Sequence, residues 1–572
     1  MHVVATAGHV DHGKSTLVRA LTGTDPDRLA EEKQRGLTID LGFASMPLPS
    51  GRQIAFIDVP GHVRFLKNML AGVSGVDACM FVVDVTEGWK PQSEEHLRIL
   101  ALLGLRHGLV VLTKADDADS DLIELARLDV AEHADGTFLA GAPIVAVDSV
   151  SGTGIDTLTA ALDALVAATP TAADNGRPRL WVDRAFPIKG SGTVVTGTLT
   201  GGGISTDDSL SLLPGGRSVR VRALQSLHQR CEQIGPGNRV AVNLAGAGHR
   251  DVARGDVLVR AEQWHATDRL DAELAVLGSL DHPVTRRGAY VAYIGSGEHP
   301  VRLRVLGPSA IEPGRTALVR LHLPLRLPLC MGDRFILRES GRSETVGGGE
   351  VLDVEPVLSA ARARPDRSVD RIVAERGLVD LQHLEKLTGA SRAADLGRWA
   401  VSPDHLDGTR RGLAAAVDDA GPLGLDLAGL DDFERAVVTT LEGISVGDGR
   451  ARSAESEDPL ADHPFVKAAE AAAFSPPAPV DVDGAELRLL VRQGRLVESD
   501  GIHFAATAVD EAARVVAGLL ATTPDGVTVA EVRDAWATTR KYALALLARL
   551  DSTGVTRRRD DLRIAGPRLP EL

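Results

Sequence analysis

The octapeptide Gly8-His9-Val10-Asp11-His12-Gly13-Lys14-Ser15, with Thr16 beside it, constrains this chain more than any other feature. It satisfies G-x-x-x-x-G-K-[ST] and sits between a β-branched run, HVVATA, and a helical stretch, STLVRALTG. A loop of that spacing turns backbone amides and a helix N-terminus onto phosphate oxygens. It also sets Lys14 against the β/γ charge and offers the Ser15 hydroxyl to Mg²⁺. Further apolar runs, IAFIDV, ACMFVVDV, GLVVLTKAD and APIVAVDS, follow at helix-length intervals as far as about Pro170. Short continuous runs so spaced predict parallel strands with crossover helices, an α/β P-loop GTPase domain over residues 1–172.

Two more elements stand where a nucleotide switch needs them. Asp58 opens Asp58-Val59-Pro60-Gly61-His62 at the end of strand IAFI, so its carboxylate is expected in the Mg²⁺ shell and the Gly61 amide on a γ-phosphate. Thr38, in Arg35-Gly36-Leu37-Thr38-Ile39, is the expected remaining metal ligand, from a loop that orders with GTP. Thr113-Lys114-Ala115-Asp116 ends strand GLVVL. The Asp116 carboxylate there can accept both edge donors of guanine, which adenine lacks, while the Lys114 stem packs on the ring. This selects GTP.

These motifs, in this order over the first 170 residues or so, resemble the translational GTPases of the elongation factor Tu type. The resemblance implies that His62 positions or polarises the attacking water and that ordering of the switch governs tRNA binding. It also places Asp148-Ser149 at the guanine base. The sequence departs from the family pattern at Thr113, where Asn is usual, and at Asp148-Ser149, where Ser-Ala is usual.

Past the Ala/Thr/Pro stretch at 168–178 the pattern changes to short strands punctuated by glycine, a barrel signature. Two β-barrels are expected, over 177–264 and 266–358, separated by the link AEQWHATD. Within them, Asp183-Arg184 and Arg239 resemble the aminoacyl pocket of the selenocysteine-specific elongation factor family. A selenol is an anion at neutral pH and a serine hydroxyl is not, so paired guanidinium groups can favour it by charge.

Beyond Pro356 the chain reads as Ala/Leu/Arg-rich helices broken by short turns: winged-helix (helix-turn-helix) modules over 366–508, then a last winged helix over 510–572. The Ser/Glu/Asp-rich 448–463 segment reads as a loop or linker. In the last module, Thr528 to Glu531 is a capping box, Tyr542, Leu546, Leu547 and Leu550 recur at helical spacing, and VTRRR with LRIAG forms a wing. Arg540 and Lys541 on the helix, with Arg557, Arg558 and Arg559 on the wing, are a basic cluster in a chain of net charge −15, which points to RNA. The ending also resembles the selenocysteine-specific family's last winged helix, which implies an mRNA insertion hairpin as ligand.

The multidomain chain is thus expected to be a GTP-dependent, ribosome-stimulated GTPase with GTP and Mg²⁺ as cofactors. Its expected partners are selenocysteyl-tRNA, the ribosome and the mRNA selenocysteine insertion hairpin at UGA codons. Three scattered cysteines support neither a disulfide framework nor a zinc cluster. No apolar run is long enough to cross a bilayer and the first residues enter a strand, so a cytoplasmic monomer without membrane is expected. A general elongation or initiation GTPase and the GTPase subunit of a sulfate-activating enzyme share the N-terminal motifs. A helical array that docks proteins or reads DNA is a further alternative.

Overall fold

The computed structural model describes residues 1–27, 32, 38–62, 65–72, 75–188, 192–227, 229–455 and 460–571. It divides into two compact units, Met1–Ala394 and Asp395–Leu572. The division falls inside the 366–508 span expected to hold winged-helix modules.

In the first unit, strands β1 (His2–Ala7), β2 (Gly42–Pro47), β3 (Gln53–Asp58), β4 (Ala78–Asp84), β5 (Gly108–Thr113) and β6 (Ile144–Ala146) form a six-stranded sheet. Its order is β2-β3-β1-β4-β5-β6. Every residue of β1, β4 and β5 is buried, because helices cover both faces. Those helices are α1 (Lys14–Thr22), α2 (Leu66–Gly72), α3 (Pro91–Leu102), α4 (Ser120–Ala134) and α5 (Ile155–Ala168). Leu97, Ile99 and Leu100 of α3 pack with Val130 of α4 on one face. Leu17 and Val18 of α1 pack with Leu158 and Leu162 of α5 on the other. The five expected strands pair in parallel, and the sixth, β2, which was not expected, pairs antiparallel with β3. Its alternating burial belongs to a half-covered edge strand, and that weaker pattern escapes a search for continuous apolar runs.

Both expected barrels are present. In the first, strands Ser209–Leu213, Val257–Val259, Arg179–Trp181, Gly192–Thr200, Asn238–Ala245 and Arg217–Ser226 follow one another, and the last pairs back to the first. Its interior is filled by alternating Leu and Val side chains such as Leu180, Val195, Val221 and Val242. The second closes through six strands, with Ala266–Val276 beside Glu344–Asp353. A Cβ on Gly347 or Gly349 would collide with the carbonyl oxygens of Ala275 and Glu273, so this close strand approach requires glycine.

The second unit is built from helices followed by short hairpins. Residues Arg450–Ser453 are a strand paired with Ile444–Gly447, so the start of the expected 448–463 linker is sheet; residues 456–459 lie outside the described set. Three arginines or alanines in four residues hide a strand whose only buried side chain is Ala451. The last module comprises helices Ala506–Thr522, Val529–Ala535 and Arg540–Thr553 with the hairpin Thr556–Arg559 and Leu562–Ala565. Thr528 and Glu531 form the reciprocal capping box at the second of these helices. Leu546, Leu547 and Leu550 fill the module's core with Phe504 and Trp536, and Tyr542 packs against its edge. No helix among the described residues is long and apolar enough to cross a membrane.

Candidate functional site: a nucleotide switch joined to a barrel cavity

The P-loop leaves β1 through Gly8 and enters α1 at Lys14, with Gly13 at φ 80° as the N-cap. Side chains from α3 brace it: the Gly8 amide donates to His96 Nδ1 (3.1 Å) and the Val10 amide to Gln92 Oε1 (3.2 Å). Nδ1 of His96 must therefore be unprotonated, which agrees with burial pushing this imidazole down to about 3. His12 is likewise held neutral at about 4, chiefly by burial, and its Nδ1 accepts from the Asp84 amide at 3.2 Å. Lys14 Nζ donates to the carbonyls of Gly8 (3.1 Å) and His9 (2.5 Å), and burial lowers it to about 8. A phosphate would replace those neutral acceptors with an anion and raise the ammonium's pKa again.

The three expected metal ligands converge. Ser15 Oγ donates to Asp58 Oδ2 at 2.6 Å and lies 2.7 Å from Thr38 Oγ1. Two hydroxyls and a carboxylate form an all-oxygen donor set that fits a hard cation such as Mg²⁺. Asp58 is fully buried, which raises its pKa, while hydrogen bonds from Ser15 and Thr6 and the charge of Lys14 oppose the rise. Sequence reasoning missed Asp27, whose Oδ1 accepts from Thr38 Oγ1 at 2.9 Å. No motif singles it out.

Gly61 lies against the loop: a Cβ there would fall 2.5 Å from Lys14 Nζ and 2.7 Å from the Val10 nitrogen, so only glycine fits. His62 follows, half-buried, its ring 5.9 Å from that of Phe65. Residues 35–37 and 63–64, on either side of these switch positions, lie outside the described set.

At the expected base site, Thr113 faces the loop. Its hydroxyl donates to the His12 carbonyl at 2.8 Å, and its place in the site is as a brace for the P-loop. Lys114, in the left-handed region at φ 57°, pairs with the buried Asp84 at 2.5 Å. Asp116 accepts weakly from Thr153 (3.4 Å) and is otherwise turned to solvent. Asp148 accepts from the amides of Val150 (2.8 Å) and Ser151 (3.0 Å), which fixes the turn carrying Ser149; the Ser149 hydroxyl is buried without a hydrogen-bond partner among the described residues.

Between β2 and the first barrel lies a cavity of about 230 Å³ lined in part by Phe43, Phe56, Arg184, Phe186, Thr196 and Arg239. The register explains the arrangement, since Arg184 and Arg239 sit opposite Thr196 and Thr198 on the shared strand Gly192–Thr200. Both guanidinium groups lie over the ring of Phe43, at 3.5 Å for Arg239 and 5.1 Å for Arg184. Neither presents an uncompensated charge. Arg239 makes two bonds to Asp183, of 2.6 and 2.9 Å, and Asp183 also accepts from Thr196. Arg184 donates to the Leu41 carbonyl at 2.8 Å and lies 3.4 Å from Asp40. The two guanidinium groups expected there do share the cavity, and each is matched to a carboxylate, Arg239 to the expected Asp183 and Arg184 to Asp40. Asp40, Leu41 and Phe43 were missed because nothing in a lone sequence brings the end of a switch loop to a barrel.

In the last module Arg540 and Lys541 are exposed at the first turn of their helix, where the positive end of the helix dipole disfavours cations. Arg557, Arg558 and Arg559 are exposed on the edge strand of the wing. Arg563, across the hairpin, is instead buried and paired with Asp551 at 2.8 Å.

Comparison with known proteins accords with this geometry. Residues 1–168 match the family described as Elongation factor Tu GTP binding domain and 192–259 match Elongation factor Tu domain 2. Residues 263–357 match the β-barrel domain of selenocysteine-specific elongation factor, and 519–565 match the winged helix of elongation factor SelB. A selenocysteine-specific elongation factor of Desulfomicrobium baculatum is 40% identical over 351 residues, 61% of this chain and 55% of that one. The matched region thus spans little more than half of that relative's length. Elongation factor Tu 2 of Streptomyces avermitilis is 33% identical over 380 residues, covering 62% of this chain and 96% of its own. The crystal structure of a bacterial selenocysteine-specific elongation factor, EF-Sec, superposes with a TM-score of 0.74 at 25% identity, covering 99% of this chain and all of that one. With the P-loop, the switch donors, both barrels and the winged helix on one polypeptide, this chain belongs to the translational GTPase family of elongation factor Tu, in its selenocysteine-specific branch.

Proposed function

We propose that the protein is a GTP-dependent elongation factor that delivers selenocysteyl-tRNA to the ribosome at UGA codons specified by an mRNA insertion hairpin, and that it hydrolyses GTP when the ribosome stimulates it. The observation that carries this reading is the cavity at Phe43, where the segment that follows Thr38 meets the two barrel arginines.

In this reading Lys14 leaves the Gly8 and His9 carbonyls for the β- and γ-phosphates, and loop amides cradle the rest. Mg²⁺, held by Ser15, Thr38 and Asp58, supplies charge neutralisation at the phosphates. Asp116 accepts from the guanine edge, with Lys114 along the ring and Thr113, Asp148 and Ser149 shaping the site. His62 orients the attacking water, with Gly61 at the γ-phosphate. The selenolate enters beside Arg184 and Arg239, where a buried charge-assisted contact is worth about 1.5–3 kcal/mol. The hairpin is held by phosphate contacts from Arg540, Lys541 and Arg557 to Arg559. The Arg540-Lys541 pair at a helix N-terminus supports an anion as ligand, since it is otherwise misplaced against the dipole.

The deciding experiment mixes the protein and GTP with different charged tRNAs and follows hydrolysis of the ester bond. Protection of selenocysteyl-tRNA with little protection of seryl-tRNA is the expected result. Equal protection of both would place the chain with general elongation factors, and no protection of either would overturn the reading.

A further inference from the structure

Three side chains from separate parts of the first unit meet away from the nucleotide and the barrel cavity. His265 lies in the link just ahead of strand Ala266–Val276, Glu355 follows strand Glu344–Asp353, and His383 belongs to helix Leu381–Thr388. His383 Nε2 is 2.8 Å from Glu355 Oε2, and His265 Nε2 is 3.9 Å from Glu355 Oε1. The imidazoles meet edge to face with centroids 5.7 Å apart. One ligand atom from each residue lies within 4.8 Å of the other two.

Two imidazole nitrogens and a carboxylate are the protein ligands of many three-residue zinc sites, which keep their fourth position for water. Solvent reaches the cluster, since the side chains of His265, Glu355 and His383 are 23%, 36% and 40% exposed. We propose that His265, Glu355 and His383 bind a divalent transition metal of the zinc class, and that the ion clasps helix Leu381–Thr388 to the link and strand end of the second barrel.

The protonation states suit ligation. Burial holds His265 below the usual imidazole range, and the hydrogen bond from His383 holds Glu355 below the usual carboxylate range. A metal binding there takes the place of the proton shared between His383 Nε2 and Glu355 Oε2. Arg376 donates to the Glu355 carbonyl at 2.5 Å and lies 3.7 Å from Oε2, so it fixes the carboxylate from the outside. Another cluster, His282 with Glu339 and Glu344, lacks this preparation. The hydrogen bond to Asp281 holds the His282 imidazole above its usual range, so a proton competes with a metal there, and Arg342 Nη1 stands 2.8 Å from its Nδ1. A third, His9 with His12 and Glu87, belongs to the P-loop and has Lys90 3.3 Å from its carboxylate.

The test titrates the metal-stripped full-length protein with Co²⁺ and follows the visible absorption of a four-coordinate ion, then displaces it with Zn²⁺. One equivalent should bind the wild type and the His282→Ala variant alike. Losing an outer-shell partner of a metal ligand typically weakens affinity 10–100-fold, so losing a ligand in His265→Asn or His383→Gln should weaken it by at least about 100-fold. Guanine-nucleotide affinity should not change, which checks the fold. Glu355→Gln, which keeps the shape of the carboxylate, gives the same loss should a histidine variant fail to fold. No saturable binding at micromolar metal, or binding as tight in the three variants as in wild type, overturns the proposal.

Discussion

Arg239 and Asp183 offer a way to separate stability from recognition at the barrel cavity. Their side chains are 13% and 6% exposed and share two short bonds, so this is a nearly buried pair. Arg239→Gln leaves Asp183 with Thr196 as its remaining side-chain donor, and breaking a buried pair in this way costs about 3–5 kcal/mol. Asp183→Asn with Arg239→Gln removes both charges and should recover most of that loss. Recognition should not recover. With the guanidinium gone, selenocysteyl-tRNA loses one charge-assisted contact, and its advantage over seryl-tRNA should fall about tenfold to a hundredfold. Neutralising Arg184 as well should erase the preference. Asp183→Asn alone acts in the opposite direction. It releases Arg239 from its counter-charge and should strengthen selenolate binding by on the order of 1 kcal/mol. Thermal unfolding reads the first effect and ester protection, with both charged tRNAs under saturating GTP, reads the second. A double variant that regains its stability and still discriminates as wild type does would refute the cationic account, whatever the single variants do.

Asp116→Asn should weaken GTP and shift preference toward xanthosine triphosphate; a competition assay with unchanged guanine selectivity would remove Asp116 as the base reader. His62→Ala should leave GTP affinity intact and lower ribosome-stimulated hydrolysis by about 10² to 10⁴, the usual range for a lost orienting or proton-transfer group, and a normal stimulated rate would exclude the role. Alanine at Arg557, Arg558 and Arg559 in the full chain should weaken hairpin RNA binding and lower the log-log salt slope by about 1 for each true phosphate contact. Asp40→Asn should narrow the difference in ester protection between the GTP and GDP forms, and an unchanged difference would separate the switch from the cavity.

What the sequence made legible follows from how locally each feature is encoded. The P-loop, the switch carboxylate Asp58 and the capping box at Thr528 are contiguous or nearly so, and their geometry follows from spacing alone. Continuous apolar runs exposed β1, β3, β4 and β5, because both faces of those strands are covered. The edge strand β2 and the strand at Arg450–Ser453 were not legible, since each buries few side chains. At the site, Ser15, Thr38 and Asp58 were read as one donor set and converge. Asp40, the counter-charge of Arg184, was not legible. Arg239 resembles a pocket cation in sequence, yet its bond to Asp183 depends on barrel register across 56 residues. Thr113 illustrates a different limit: a base-reading motif names the position, while the direction of the hydroxyl, toward His12, is set by the packing of β5 on the loop.

Asp40 joins the two halves of the site. Its carboxylate meets Arg184 at 3.4 Å and Arg254 at 3.1 Å, and Arg254 also reaches Asn68 of α2 at 2.8 Å. Asn68 in turn holds the Ile39 carbonyl at 2.7 Å. Only Ile39 separates Asp40 from Thr38, a hydroxyl assigned to the metal. Any movement that takes Thr38 away from Ser15 therefore pulls on Asp40, and Leu41 moves with it. Arg184 would then lose its main-chain acceptor and its carboxylate together, and Phe43, two residues further on, would lose its place beneath both guanidinium groups. Each of these contacts is modest alone, since Asp40 is a third exposed and a charge pair in such a setting contributes about 1 kcal/mol or less. Their common dependence on four consecutive residues makes the response collective. A cavity whose floor and one of whose counter-charges, Asp40, ride on the switch segment can have different affinities in the two nucleotide states without any contact between the aminoacyl group and the nucleotide, which is the differential interaction that coupling requires.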